Sequence, residues 1–258
     1  MQTVLFHSTI FGPIQSRRLG TSLGINLSPN DGKICSFDCL YCEAGLNSQG
    51  TGKTGFPEIS TVIKDLETKL IEMKENRQHL DVITFSGNGE PTLHPRFPEI
   101  IDEVIKIRNR YYPDAAISVL TNSSRIHRPE IIDALKKVDN SILKLDSAVT
   151  STMRMIDRPN DPNLTSEKII ESLKEFGNKA IVQTMLLTGE YNDKKIDNTT
   201  PEEVEALIDA MKIINPQSIM LYSIDRPTPI TTLRKVSRET IEKIAEEFRA
   251  NGFTVSVA

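Results

Sequence analysis

The chain reads as an α/β protein, a parallel sheet covered by helices and organised as a partial, open TIM-type barrel of about six β-α units. Two observations carry that expectation. From about residue 56 onward, short β-rich apolar runs alternate with segments of helical period, the pattern that lays helices across a parallel sheet. The residues able to do chemistry then follow the apolar runs directly, and in such barrels the active site gathers at the C-terminal ends of the strands. The unit count falls short of the closed eight-unit form.

Taken in order, residues 22–27 (Ser22-Leu-Gly-Ile-Asn-Leu) suit a first strand, and a cysteine-bearing loop follows. Ile59, Val62, Ile63, Leu66, Leu70 and Met73 recur at helical spacing. Residues 81–85 form a strand, Phe97, Ile100, Ile101, Val104 and Ile105 mark a helix, and residues 115–120 form the next strand. Ile131, Ile132, Leu135 and Val138 mark a helix, residues 141–145 a strand, and Ile169, Ile170, Leu173 and Phe176 a helix stopped by Gly177. A strand over 179–187 leads to Thr200-Pro-Glu-Glu203, which joins capping-box spacing to a proline at the first helical position. A strand over 217–224, a helix over 237–250 stopped at Asn251-Gly252, and a short strand over 253–257 complete the alternation. Residues 1–20 and 44–57 read as irregular. The whole of 1–258 reads as a single domain, with 1–20 an N-terminal extension and 29–57 a cysteine and lid loop.

The 258 residues suit one large unit. The formal charge of −4 argues weakly against a broad phosphate-binding surface. Three cysteines allow at most one disulfide, so they read as metal-binding or catalytic thiols in a reducing compartment, and the protein is expected in the cytoplasm. The N-terminus lacks the pattern of a signal peptide, and no segment approaches the ~20 apolar residues of a membrane span.

The cysteines fall together as Cys35-Ser-Phe-Asp-Cys39-Leu-Tyr-Cys42. One loop with that spacing can wrap one face of an iron–sulfur cube. A [4Fe–4S] cluster ordinarily takes four cysteines, so three leave one iron open to a non-protein ligand. A structural zinc site with His7 as fourth ligand is the alternative for the same residues. Further along, Ser86-Gly-Asn-Gly-Glu-Pro-Thr-Leu-His94, Thr121-Asn-Ser-Ser124, Lys144-Leu-Asp-Ser147, residues 187–190 and residues 223–228 each follow a strand.

Lys144 and Asp146 lie two apart, on one strand face, and an ion pair at the barrel mouth is their plain structural role. Glu90 suits a helix start, and Asn122 and Ser123 suit a cap or turn. Residues 47–54 nearly match a phosphate-binding loop but carry Asn47 where glycine is required, and read as a flexible loop over the site. Arg17, Arg18, Arg158 and Arg226 are the candidates to meet an anion. His94 and His127 read as solvated loop residues.

With Tyr41 before the last cysteine and Gly87-Asn-Gly-Glu-Pro91 one unit later, the chain resembles the radical S-adenosylmethionine (SAM) superfamily. More narrowly, Gly12-Pro-Ile-Gln-Ser-Arg-Arg-Leu-Gly20, Glu90-Pro-Thr-Leu-His-Pro95 and Asp225-Arg-Pro227 resemble a bacterial group of Fe–S oxidoreductases distantly related to the wyosine tRNA-base synthases.

The resemblance implies that Cys35, Cys39 and Cys42 hold a [4Fe–4S] cluster as metal ligands and that SAM chelates the open iron. Reductive cleavage would then give a 5′-deoxyadenosyl radical that abstracts hydrogen from a substrate. Gly87, Asn88, Gly89 and Glu90 would surround the methionine ammonium, with Asn88 where the family usually has glycine. Asn122 and Ser123 would meet the SAM ribose or carboxylate, and Lys144 the carboxylate. Asp146 would act catalytically on a hydroxyl or substrate group, and Tyr41 would give a backbone contact to adenine.

The implied partners are a flavodoxin- or ferredoxin-type electron donor and a substrate that is an anionic small molecule or RNA, with no membrane. An activating enzyme for a glycyl-radical protein and a non-catalytic Fe–S electron-transfer or sensor module are the competing functions. The 87–90 run argues against the latter, because an electron carrier needs no methionine-binding turn. No spare cysteine remains for an auxiliary cluster or a methyl relay, which disfavours wyosine synthesis itself.

Overall fold

The computed structural model describes residues 4–16 and 18–258. Its strands are β1 (Ile10–Ser16), β2 (Gly20–Ile25), β3 (Val82–Phe85), β4 (Ala116–Thr121), β5 (Asn140–Lys144), β6 (Ala180–Tyr191), β7 (Lys194–Asp197), β8 (Ser218–Ser223), β9 (Arg234–Lys235) and β10 (Val255–Val257). The helices are α1 (Ile59–Glu75), α2 (Phe97–Tyr111), α3 (Pro129–Leu135), α4 (Thr150–Asp157), α5 (Ser166–Lys174), α6 (Pro201–Ile214) and α7 (Arg238–Ala250). Sheet order is β1-β2-β3-β4-β5-β6-β8-β10. Strands β2 to β6, β8 and β10 run parallel, β1 is antiparallel to β2, and β7 and β9 pair antiparallel with the far end of β6. Among the described residues β10 does not return to β1, so the sheet is open, as the sequence predicts.

Strand alternation divides the two faces. Leu23, Ile83, Val119, Leu143, Val182 and Leu221 point to the helices and form the core with residues such as Leu66, Ile100 and Met211. Their neighbours Ser22, Thr84, Ser118, Lys144, Gln183 and Tyr222 therefore face the concave side. That side is polar, and Ser22 and Thr84 share a hydrogen bond of 2.8 Å there. The expected cap at Thr200 is in place, its hydroxyl accepting from Glu203 N, and the Ser237 hydroxyl caps the last helix by accepting from Thr240 N. No described helix is long and apolar enough to cross a membrane.

The structure corrects the reading in four places. Residues 10–16 are a strand, because Pro13 sits on the sheet edge at an irregularity between Phe11 and Ile14, where no ladder donor is needed. Helix α4 escapes periodicity analysis because it is short and polar, burying only Met153, Ile156 and Asp157. Strand β6 runs beyond residue 187 into a hairpin with β7, turned by Asn192 and Asp193 at φ 50° and 58°, the backbone a two-residue hairpin needs.

His94 is the fourth correction: it is buried, with Nε2 2.9 Å from Pro57 O and Nδ1 accepting from Arg96 N at 3.1 Å. Only the neutral ring satisfies both contacts. Burial holds its pKa below the ordinary 6.5. The unfolded chain thus takes up the proton first, and this contribution to stability is full above pH 6.5 and lost as pH falls below it. Urea midpoints should accordingly drop between about pH 8 and about pH 5.5 by more in wild type than in His94→Asn; equal drops would refute the assignment.

Candidate functional site

The cysteine loop leaves the end of β2 and is fixed from several sides. Lys33, buried, donates to Gly45 O at 2.7 Å. Asp38 accepts from Asn47 N at 2.6 Å and pairs with Arg158 at 3.2 Å. Asp38 N and Leu40 N donate to Asp157 O and Ile156 O, each at 3.0 Å, tying the loop to the end of α4. Ile34 forms a strand-like bridge with Gly89, its N–H donating to Asn88 O at 3.1 Å while its carbonyl accepts from Glu90 N at 3.0 Å. The two motifs singled out in the sequence are therefore stapled together.

Cys35, Cys39 and Cys42 are free and half-buried. Burial pushes the Cys35 thiol up to about 12 and raises that of Cys39 as well. Cys35 Sγ accepts from Phe37 N and from Asn122 Nδ2, each at 3.5 Å. Cys39 Sγ lies 3.6 Å from Asp157 Oδ1. Among the described residues, no three His, Cys, Asp or Glu side chains converge where a single ion would sit. His7 is exposed, with Nδ1 3.0 Å from Asn30 O.

The glycines of the 87–90 turn serve a close approach, though of protein to protein. At Gly89, φ +145°, a Cβ would fall 1.8 Å from Ile34 O, and at Gly87, φ +149°, 2.3 Å from Asn26 Oδ1. Asn88 differs from the expected ligand contact. Its side chain exchanges two 2.8 Å hydrogen bonds with the Phe6 backbone and donates to Pro29 O at 2.9 Å, and its N–H goes to Asn26 Oδ1 at 3.0 Å. With its carbonyl on Ile34, this residue is spent on pinning the N-terminal segment.

Glu90 is buried and does cap a short 3-10 turn, Pro91–Leu93. Its carboxylate accepts from Thr92 N at 3.1 Å, Thr92 Oγ1 and Thr121 Oγ1 at 2.6 Å each, and Asn122 N at 2.7 Å. Burial raises its pKa, and these hydrogen bonds counter the rise. Asn122 passes the contact on, donating to Ser36 Oγ at 2.9 Å and to Cys35 Sγ. Ser123, held at φ +66°, has a buried hydroxyl with no partner. It faces a cavity of about 540 Å³ shared with Ser36 and Phe37 of the cysteine loop.

Lys144 and Asp146 form the expected ion pair at the barrel mouth, and Lys144 also meets Asp157 at 2.8 Å. The Tyr41 hydroxyl donates to Asp146 and receives from Lys144. The Tyr41 phenol thus joins the Lys144–Asp146 pair. Burial would lower the Lys144 pKa, but Asp146 and Asp157 hold it well above the ordinary value. The other Asp146 oxygen accepts from Met185 N at 2.9 Å, so Asp146 joins the end of β5 to β6 as well as to Tyr41 and Lys144.

Sequence reasoning missed Lys33, Asp38 and Asp157. The last sits on the overlooked α4, and no sequence signal marks it.

Residues 47–54 are not a free loop. Asp31 accepts from Lys53 N at 2.8 Å, Thr54 N at 3.2 Å and Thr54 Oγ1 at 2.7 Å, which ties the segment to the start of the cysteine loop. Of the arginines, Arg158 pairs with Asp38 and Arg226 with Glu43 at 2.6 Å; Arg17 lies outside the described residues. Arg18 stacks 4.7 Å over the Tyr222 ring. His127 is exposed.

Residues 30–200 match the family described as the Radical SAM superfamily. A UPF0026 protein of Methanocaldococcus jannaschii is 32% identical over 92% of this chain and 70% of its own length. A protein of Brachyspira hyodysenteriae named GTPase Obg is 30% identical over 94% of this chain, which spans only 34% of that relative. A radical SAM methyltransferase from Sphaerobacter thermophilus superposes with a TM-score of 0.67 at 17% identity, over 92% of this chain and 65% of that one. TYW1 with a lysine-pyruvate adduct bound superposes with a TM-score of 0.60 at 16% identity, over 90% and 75%. At these identities the structural likeness is one of fold.

Proposed function

The chain belongs to the radical SAM superfamily and to the UPF0026 proteins, and from that premise we propose that it is a [4Fe–4S]-dependent enzyme that cleaves SAM reductively and takes a hydrogen atom from a substrate. The contact chain Glu90–Asn122–Cys35 carries the reading, because it links the turn assigned to SAM with the first cysteine.

The donor set fits the group. Three free thiols lie on one pinned loop, no other cysteine exists, and N–H donors point at Cys35 Sγ. Amide hydrogen bonds to sulfur are among the features that tune such clusters. When bound, the cluster and SAM supply an electron and a 5′-deoxyadenosyl radical able to abstract hydrogen.

The chain's own residues hold and orient. Cys35, Cys39 and Cys42 are the ligands, and their loop is immobilised by Lys33, Asp38 and the bridge at Ile34. The Ser123 hydroxyl, buried and unpaired, is available to a polar group of SAM entering the neighbouring cavity. Tyr41, Lys144, Asp146 and Asp157 close the barrel mouth beside Cys39 with two carboxylates against one ammonium.

Anaerobic reconstitution followed by electron paramagnetic resonance tests the reading. Adding SAM to the reduced protein should change the cluster signal. A cluster whose signal ignores SAM would instead favour an electron-transfer module.

A further inference from the structure

Among the described residues, Arg18 is a cation on the concave side of the sheet without a counter-charge. Among the described residues its guanidinium makes no ion pair and no hydrogen bond; its Nη1 is buried and unpartnered, and its one side-chain contact of note is the stack on Tyr222. Its backbone is held, since the Ser16 hydroxyl accepts from Arg18 N at 3.3 Å and from Leu19 N at 3.2 Å. Arg226, nearby, is already neutralised by Glu43.

Arg18 lines a cavity of about 300 Å³ whose wall includes Ser22, Thr84, Gly87 and Cys42. It also lines a smaller one of about 40 Å³ with Tyr41 and Tyr222. Arg18, Glu43 and Arg226 are common to both, so the two spaces adjoin. A second orphan donor points the same way. Gln183 is buried with Nε2 unpartnered, and its register partners in the sheet are Lys144 and Met220.

Buried donors left without acceptors are costly, and a guanidinium fork most favourably meets a carboxylate or phosphate in two parallel hydrogen bonds. We propose that the concave face binds the oxyanion of the substrate, a carboxylate or a phosphate, on Arg18, with the Tyr222 ring fixing the plane of the guanidinium. The substrate body then extends along the cavity wall that carries Cys42. This substrate class rests on the radical SAM reading of the same site.

The test uses the reconstituted full chain, with inorganic phosphate and malonate as separate probes in calorimetric titrations. One probe should bind saturably to wild type, and its Kd should rise at least about tenfold in Arg18→Gln. Phosphate binding alone identifies a phosphorylated substrate, and malonate binding alone a carboxylate. Tyr222→Leu, which removes the stack and leaves the charge, should weaken the same anion and serves if Arg18→Gln does not fold. Absence of binding by both probes, or an unchanged Kd in the variants, overturns the proposal. Iron and sulfide measured on the same samples separate the two claims. A loaded cluster without Arg18-dependent binding defeats the anion site alone. Arg18-dependent binding in a chain that takes no cluster defeats the radical SAM reading and leaves the anion site standing.

Discussion

Cys39→Ala should fold and yet retain no iron above background after reconstitution. The side chain is half-buried at the core edge, and trimming it to alanine costs about 1 kcal/mol, the common size for such a change. The functional loss is far larger than the structural one. Two thiolates remain where a cluster already has one fewer than the usual complement, and no other cysteine exists to substitute. Iron and sulfide analysis alongside a urea melt separates the two effects. A stable variant with wild-type iron content would remove Cys39 from the ligand set.

Glu90→Ala should be the most destabilising of the site substitutions, by about 3–5 kcal/mol in a urea titration, since four buried donors lose their acceptor together. The damage also travels. Asn122 N is one of those donors, and the Asn122 amide reaches Cys35 Sγ, so retention of the cluster should weaken by about 10–100-fold, as for other groups that orient a metal ligand. A stability within about 0.5 kcal/mol of wild type would show that Glu90 is not the clamp between the 87–90 turn and the end of β4.

Local signals made most of the fold legible. The run from Ile59 to Met73 repeats at helical spacing and is α1, and Thr200-Pro-Glu-Glu203 carries its cap in its own sequence and starts α6. Strand β1 was obscured because Gly12 and Pro13 look like breakers, and only the edge position beside β2 makes them tolerable.

In the site, the cysteine spacing and the glycines at 87 and 89 were visible, but what the glycines accommodate was not. The close neighbour is the Ile34 carbonyl from a loop far upstream. Likewise Asn88 looks like a variant ligand in the sequence, while its partners Phe6 and Pro29 are 82 and 59 residues away. Asp157 and the unpaired state of Arg18 are of the same kind. Both arise from contacts made or missing between distant segments, and neither leaves a periodic trace.

The most direct test of the central claim is 5′-deoxyadenosine itself. Reconstituted protein given SAM and a strong reductant under anaerobic conditions should form it slowly without added substrate. Omitting the reductant or replacing Cys39 by alanine should abolish its formation. An intact, reducible cluster that yields no 5′-deoxyadenosine, or formation undiminished in Cys39→Ala, would contradict the account.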